Sequence, residues 1–472
     1  MITKIVMTTI RLEKDVFGEL PIPADAYWGI HTARAQANFA ISGTPMATEL
    51  IHALAMVKLA CCRANAELGY LDCSRADAIA QACQEVIEGR LDAQFPVDAL
   101  QGGAGTSANM NVNEVVANRA CELSGGQKGD YDRVHPIEHV NRHQSTNDVY
   151  PTALKVAAIF ALRRLSQTIA RTQGACQAKE KAFAEIVTMG RTELQDAVPI
   201  ALGGQFATFA EAFARDRWRT FKCEERLRVV NLGGTAVGTG LTAPRDYIFL
   251  SIERLRDITG LGLTRAEQVM DATANADCFV EVSGMLDAHA ANLLKVSQDL
   301  RLLHFLREIA LPGCQVGSSI MPGKINPVML EAAMSVAMKV HANHGLIAQA
   351  ASHGTLQINE FLPLIALGLL ESLRVLDALN ERFAAHVEGI TANAEVCQRR
   401  VDENPQTITA FLPHLGYERC EALLQLFQRE PQTRAFREFL NTHLGAELVE
   451  RVLSPHNLMA LGYRAKRHFE SV

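Results

Sequence analysis

The sequence lacks the features that mark membrane-spanning, secreted and nucleic-acid-binding proteins. No uninterrupted apolar run reaches the ~18 residues that a membrane-spanning helix needs, and the first 20 residues show no pattern of a secretory signal. Lys and Arg total 46 against 52 Asp and Glu, which gives a formal charge of −6 and no general attraction to nucleic acid or anionic membranes. We therefore expect a soluble, cytoplasmic protein with no nucleic-acid or membrane partner.

Paired cysteine and histidine motifs are also lacking. The 11 cysteines are scattered, without a C-x-x-C, so a disulfide framework or a zinc ribbon is disfavoured and reduced, mostly buried thiols are expected. No motif surrounds any cysteine, which disfavours a catalytic thiol. His139 and His143 could share a helix face, but no third ligand is apparent, so we predict no metal site. The motifs H-E-x-x-H, P-loop and G-x-S-x-G are missing.

What the sequence does contain is long stretches almost free of Gly and Pro. The 472 residues, 48% of them hydrophobic, suffice for about three domains. Breaker-poor stretches cover residues 152–173, 205–231 and 271–311. In the last, apolar residues recur every three or four positions, as on one face of a helix longer than about 40 Å: Phe279, Val282, Leu286, Ala290, Leu293, Val296, Leu300 and Leu303. Strand signals are weak.

Such long helices cannot bury their apolar faces in a small globule. The pattern therefore predicts a mainly α-helical protein with a long helical bundle, a form that often assembles into oligomers. We divide the chain into an N-terminal, mostly helical domain (residues 1–142), a central long-helix bundle (143–389) and a small C-terminal helical domain (390–472).

Three polar loop segments are candidates for binding a ligand. They cover residues 101–114, 144–151 and 317–327, and each adjoins a predicted helix. Glycines let backbone amides approach a ligand, Ser, Thr and Asn add neutral donors, and a helix N-terminus adds partial positive charge. Together these groups suit a small, multiply anionic ligand. Each segment alone can also be a simple turn or helix cap, and for residues 145–147 the two interpretations have equal weight.

The same segments resemble those of a known family. Residues 317–327, with the sequence GSSIMPGKINP, are similar to the signature loop of the aspartase/fumarase superfamily. Residues 102–114, 145–151 and 190–199 resemble its other active-site segments in the same order, and residues 11–15, 28–32 and 231–240 are similar as well. The likeness covers nearly the whole chain. Within the superfamily, the motif sequences are most similar to those of aspartate ammonia-lyases, followed by those of class II fumarases.

The resemblance implies an all-α, three-domain lyase that forms a homotetramer with a twenty-helix core. Each active site would be assembled from three subunits and would bind a small dicarboxylate. The implied reaction is reversible anti elimination of ammonia, or of an amine, from L-aspartate or a close N-substituted aspartate to give fumarate, without an organic cofactor. By the resemblance, Ser318 is the general base and the remaining site residues bind substrate: Thr106, Ser145, Thr146, Asn147, Thr192, Glu193, Ser319, Lys324 and Asn326.

The residue types suit that chemistry. The proton next to a carboxylate is very weakly acidic, so the enzyme must stabilise a dianionic intermediate, for which dense neutral donors and one Lys are suitable. A serine becomes a base only with amides and positive charge nearby, which Gly317, Gly323 and Lys324 can provide. Lys324 can alternatively be a solvated lysine. Loops of this kind often close over substrate.

The sequence departs from the family pattern in three places. Glu193 follows Thr192 where relatives have His or Gln, and we expect it to share a proton with Glu331 and act as a neutral donor. The alternative is a charged Glu193 that favours a cationic group on the substrate. The segment before the signature loop is about five residues shorter than in relatives. Residues 135–138 differ from the motif that fumarases have at a secondary anion site.

Two rival functions remain open at this point. A class II fumarate hydratase has the same base and loop but expels water. A non-catalytic structural protein of the same fold is the other alternative, because relatives serve as lens crystallins. The intact Ser318, Lys324 and Asn326 argue against the second.

Overall fold

The computed structural model describes residues 9–429 and 434–463. It contains two compact units. The first comprises the described residues up to Ser166, Trp218–Ala290 and Met338–Asp377, and the second comprises Gln167–Arg217, Ala291–Ala337 and the described residues from Ala378 onward. The division into three domains at residues 142 and 389 stays a prediction.

Helices dominate the described residues, as the sequence predicts. In chain order they are α1 (Ile30–Asn38), α2 (Thr48–Glu67), α3 (Cys73–Ile87), α4 (Thr106–Leu123), α5 (Thr146–Ala182), α6 (Leu202–Leu227), α7 (Arg245–Thr259), α8 (Val269–Ala274), α9 (Asp277–Phe305), α10 (Val328–Ser352), α11 (Leu362–Glu388), α12 (Ala394–Glu403), α13 (Leu412–Leu415), α14 (Tyr417–Arg429), α15 (Phe436–Leu444), α16 (Ala446–Val452) and α17 (Pro455–Met459). Within these residues, none of the helices combines the length and the apolar character needed to cross a membrane.

In the described part of the chain, the strands form four small sheets of two strands each. The antiparallel pairs are β1 (Ile10–Asp15) with β2 (Gly18–Pro23), β3 (Val187–Thr192) with β4 (Gln195–Ala201), and β7 (Ile309–Ala310) with β8 (Thr391–Ala392). The pair β5 (Val229–Val230) and β6 (Thr264–Arg265) is parallel. Two of these pairs carry or anchor segments of the candidate site.

The predicted apolar face of the third long stretch is buried. In α9, 29 residues and about 43 Å long, all seven face positions from Phe279 to Leu300 are buried, and the eighth, Leu303, is half-buried. The helix ends before the breaker-poor stretch does, because Arg307 adopts a left-handed conformation with φ 62°. The amide of Glu308 then bonds the carbonyl of Leu303 at 3.0 Å, which is the hydrogen bond of a Schellman helix end.

The core of the first unit surrounds α2. This helix packs against α3 and α7, and α3 packs against α4. It is buried on nearly every side, and its buried positions include the polar residues Lys58 and Asn65. In the second unit, apolar side chains of the C-terminal helices form a separate core that includes Phe411, Phe436 and Phe439.

Glu114 joins α4 to the start of α1. Its carboxylate is almost fully buried and accepts the amides of Gly29, His31 and Thr32 at 2.9, 2.8 and 3.1 Å, together with the Thr32 hydroxyl at 2.6 Å. These donors include otherwise unpaired amides at a helix N-terminus. Burial raises the pKa of Glu114 to about 6, although its hydrogen bonds act in the opposite direction.

We expect Glu114→Gln to lower the free energy of unfolding by about 2 kcal/mol, because an amide NH₂ replaces an acceptor oxygen among buried donors. The folded pKa of about 6 lies above the ordinary value of 4.5, so the wild type loses stability as the pH rises through this window, whereas the variant does not. The destabilisation should therefore be larger at pH 4.5 than at pH 7. Urea unfolding at both pH values measures it.

Glu253→Gln, which changes an exposed glutamate on α7, is the matched control and should leave the urea midpoint unchanged at both pH values. A destabilisation by Glu114→Gln that grows with pH would contradict the assigned direction of the shift.

Candidate active site

The first polar segment leads into α4 through a tight turn. Gly103, Ala104 and Gly105 all have positive φ angles, and a Cβ on Gly105 would lie 2.4 Å from the ring of Tyr150. Only glycine fits at position 105, because both its conformation and its close approach exclude a side chain. Thr106 is the first residue of α4, is exposed, and donates to the carbonyl of Gly103 at 2.8 Å.

The second polar segment caps α5. The Ser145 hydroxyl accepts the amide of Asn147 at 3.2 Å, and the Asp148 carboxylate accepts the amide of Ser145 at 3.1 Å. The bond from Ser145 to Asp148 is that of a capping box, whereas the Ser145 hydroxyl caps the second helical residue instead of the third. Ser145 therefore has the capping role that its sequence position left open. The half-buried Asn147 donates to the carbonyl of Ala236 at 2.7 Å.

The half-buried amide of Asn141 connects these two segments. The Asn141 side-chain oxygen accepts Lys58 Nζ at 2.8 Å, Asn113 at 3.1 Å and Asn109 at 3.2 Å. Asn109, one helical turn after Thr106, also lies 3.2 Å from the hydroxyl of Thr146. The structure thus brings the start of α4 and the start of α5 together, as a site built from both segments requires.

A third loop, residues 231–240, lies against the start of α5. Asn231 donates to the carbonyl of Asn147 and to the hydroxyl of Thr273, both at 2.9 Å. The amide of Thr235 donates to Asp148 at 2.9 Å. The loop therefore holds the backbone carbonyl and the side chain of Asn147 and the carboxylate of Asp148.

Two buried ionisable groups support this arrangement. Burial raises the pKa of Asp148 to about 6, while the amides of Thr235 and Ser145 and the charge of Lys58 act in the opposite direction. Burial lowers the pKa of Lys58 to about 8, and its Nζ also donates to Gln144 at 2.9 Å. At neutral pH both groups remain mainly charged, so an ammonium and a carboxylate of opposite charge are buried beside residues 144–148.

The second unit carries Thr192 and Glu193 at the tip of the hairpin of β3 and β4. The two turn residues Glu193 and Leu194 have φ angles of 51° and 62°, a geometry for which Asn-Gly is the favoured sequence. Two non-glycine residues in this conformation store backbone strain, which often accompanies function. Thr192 and Glu193 are exposed. Next to the tip, Arg191 anchors the hairpin through an ion pair at 2.5 Å to the fully buried Glu308.

The signature loop, residues 317–327, is closed by its own hydrogen bonds. The amide of Gly317 donates to the carbonyl of Lys324 at 2.7 Å, and the Asn326 side chain donates to the carbonyl of Gly317 at 2.9 Å. The Ser318 hydroxyl accepts the amides of Ile320 and Met321 at 3.2 and 2.9 Å. Two amide donors on one oxygen favour its deprotonated form.

The remaining loop residues point outward in the isolated chain. Ser319 and Lys324 are exposed, as are the apolar side chains of Val316 and Ile320, the latter to 84%. Lys324 has no ion pair within the described residues. In the single chain it is therefore a solvated lysine, which is the alternative that the sequence allowed.

Glu193 and Glu331 do not form a hydrogen bond within the described residues. Glu331 lies in the first turn of α10, and its carboxylate is 3.9 Å from the Arg301 guanidinium. The proton shared between Glu193 and Glu331 stays a prediction.

The shortened segment before the signature loop is anchored by β7 and β8, and the carbonyl of Glu308 accepts the amide of Asn393 at 2.9 Å. His135 caps a short helical turn through its ring nitrogen. Among the described residues, no cluster of three His, Cys, Asp or Glu side chains could hold a metal ion.

Sequence reasoning missed Lys58, Asn109, Asn141 and Asp148 as supports of the site. Three of them lie in or near the polar segments, which is a signal that could have been used. Lys58 gives a different signal: it is the one cation in the apolar run of residues 53–62.

Comparison with known proteins gives consistent relatives. A family model described as Lyase matches residues 18–342. Aspartate ammonia-lyases from a Bacillus species and from Escherichia coli are 41% and 40% identical, covering 98% and 97% of this chain and 100% and 98% of their own lengths. That of Pseudomonas aeruginosa is 45% identical over 86% of this chain and 88% of its own.

Two solved structures share the fold. One, described as a fumarate lyase:delta crystallin from Brucella melitensis bound to cobalt, is 41% identical with a TM-score of 0.91, and the match covers 95% of this chain and 99% of that one. A class II fumarase from Schistosoma mansoni is 31% identical with a TM-score of 0.89, covering 96% and 99%. With this coverage and identity, the chain belongs to the lyase family of the aspartase/fumarase superfamily.

Proposed function

We propose that this protein is a carbon–nitrogen lyase that eliminates ammonia from L-aspartate to give fumarate. The observation that carries the proposal is the Ser318 hydroxyl, which accepts two backbone amides inside a loop closed by Gly317 and Asn326. The 40–45% identity to aspartate ammonia-lyases favours ammonia as the leaving group. A close N-substituted aspartate is a second substrate in the same class.

In the proposed reaction the Ser318 alkoxide removes the C3 proton, and the carboxylate next to that carbon takes up the second negative charge. Neutral donors at Thr106, Ser145, Thr146 and Asn147 bind the carboxylates, and the buried Lys58 and Asp148 hold the segment that carries three of them in place. Fixed donors of this kind stabilise developing charge without reorganising during the reaction. The ammonium group leaves from the opposite face. Thr192, Ser319, Lys324 and Asn326 complete the substrate contacts in this proposal.

We further propose that the active protein is a cytoplasmic homotetramer whose long helices form a twenty-helix core, with three subunits contributing to each site. Two features support assembly. The hairpin tip and the signature loop are exposed in the isolated chain. Large apolar side chains of the long helices are exposed as well, including Trp218, Phe221 and Met338, at 63%, 61% and 58%, and exposed apolar patches of this kind mark interaction surfaces.

We expect Ser318→Ala to lower the turnover of aspartate by 10²–10⁴-fold or more, roughly the loss that follows removal of a general base. Fumarate absorbance from aspartate measures it. Ser335→Ala, an exposed serine on α10, is the control and should keep full activity. Near-normal turnover in Ser318→Ala would reject Ser318 as the base.

The same assay with malate separates the proposal from the fumarate hydratase alternative, which the similarity to a class II fumarase supports. Fumarate formation from malate that exceeds formation from aspartate would favour the hydratase. Turnover of either substrate eliminates a purely structural protein.

We expect Glu193→Gln to keep aspartate turnover but to flatten its pH profile, because a shared proton makes Glu193 a neutral donor as Gln is. The pH dependence of kcat measures the effect, and Glu185→Gln, an exposed acid just before β3, is the control. Lost turnover would show instead that the charge of Glu193 is needed.

We expect inactive Ser318→Ala and Thr146→Val proteins to recover activity when they are unfolded together and refolded as a mixture. If the two residues enter one site from different subunits, some hybrid sites contain both wild-type side chains. A mixture of Ser318→Ala with Lys324→Met is the matched control, because both positions lie on one loop and every hybrid site keeps a defect. Recovery in neither mixture, with a monomer in sedimentation, would contradict shared sites.

A further inference from the structure

Cys314 lies three residues before the signature loop, beside a histidine. Its Sγ is 3.8 Å from Nδ1 of His386, within the hydrogen-bond range for sulfur, and 3.7 Å from the carbonyl of Pro312. Only Cys314 and Cys73 are exposed among the cysteines, all of which are free. Cys314 is thus an accessible thiol with a base next to it.

His386 has no role in the proposed reaction, yet its surroundings call for a partner. It is only 6% exposed, and its Nε2 has no hydrogen-bond partner among the described residues. Among the described residues, the contact between Nδ1 and the Cys314 thiol is therefore the one hydrogen bond of the His386 ring. Burial lowers the pKa of His386, so the ring is neutral near pH 7 and Nδ1 can accept the thiol proton.

The segment that carries Cys314 is fixed at one end and free at the other. Ile309 and Ala310 pair with Thr391 and Ala392, and Pro312 packs so closely on Gly389 that a Cβ there would lie 2.5 Å from its ring. Beyond Cys314, the exposed residues 315 and 316 lead to Gly317 and Ser318. The segment before Cys314 is therefore held by strand pairing and packing, whereas the exposed residues 315 and 316 connect Cys314 directly to the loop.

We propose that Cys314 is a modification site at which a low-molecular-weight thiol forms a mixed disulfide after oxidation by a hydroperoxide, and that the adduct displaces the signature loop. The loss of lyase activity that follows rests on the proposed function of Ser318. The modification itself does not depend on that function.

The modification needs two reagents, a hydroperoxide as oxidant and a small thiol that becomes part of the disulfide. His386 takes the proton of Cys314, and the thiolate attacks one oxygen of the hydroperoxide, whose O–O bond breaks. Sulfur is oxidised to a sulfenic acid, and the peroxide is reduced to an alcohol or water as the proton goes to the leaving oxygen. The small thiol then attacks the sulfenic sulfur, the S–O bond breaks, and water leaves with formation of the disulfide.

The test treats the purified protein with hydrogen peroxide and glutathione and follows each cysteine peptide by mass spectrometry together with aspartate turnover. Wild type and Cys73→Ser should gain glutathione at Cys314 and lose activity in parallel, and dithiothreitol should restore it. Cys314→Ser should keep its activity throughout. Cys73 is a demanding control, because it begins α3 and a helix N-terminus also favours a thiolate.

His386→Asn keeps an acceptor but cannot take up the proton, so it should slow adduct formation by about tenfold. Modification of Cys73 as fast as Cys314, or an adduct at Cys314 without loss of turnover, overturns the proposal. If the untreated protein converts no aspartate, the proposed function fails by itself, and the rates of adduct formation in wild type and His386→Asn still decide whether Cys314 is the reactive site.

Discussion

A buried carboxylate and a buried ammonium hold the polar segments of the first unit in place. Asp148 binds the amides of Ser145 and Thr235, and Lys58 binds the side chains of Asn141 and Gln144. Removing such charges from water costs several kcal/mol each, and only well-placed hydrogen bonds offset that cost. The segments therefore have one low-energy arrangement, because any shift of a helix start would leave a buried charge without its partners.

The second unit uses the opposite design. The signature loop is closed by hydrogen bonds between its own residues Gly317, Lys324 and Asn326, and its apolar side chains face outward. Residues 319–325 of the loop are exposed, and segments with so little burial belong to the low-stability end of a structure. In the proposed reaction, a base on such a loop can approach a bound substrate and withdraw from it, whereas the proposed donors at the starts of α4 and α5 are held in place by their hydrogen bonds. The two designs suit proton transfer and anion binding, respectively.

The parts of this protein that can be predicted from the sequence are those whose pattern lies within one short segment of the chain. The apolar face from Phe279 to Leu300 follows from helical spacing alone, and the signature loop from its own residues. The end of α9 was missed because Arg307 adopts a conformation that arginine seldom takes. Lys58 was missed because its partners Asn141 and Gln144 are more than 80 positions away. No pattern within one helix shows whether a lone lysine finds buried acceptors or snorkels to solvent.

The exposed groups of the chain explain why assembly and catalysis should be linked. A serine alkoxide and a dianionic intermediate are stabilised strongly only where water is excluded, yet Thr192, Glu193 and Lys324 are exposed in the single chain. The two left-handed residues at the hairpin tip store backbone strain, which lowers the stability of the folded monomer. In the proposed tetramer, other subunits cover these groups. Association of the subunits would then bury the side chains that the single chain leaves exposed. The strained tip would fix Thr192 and Glu193 in position for contact with the neighbouring chain.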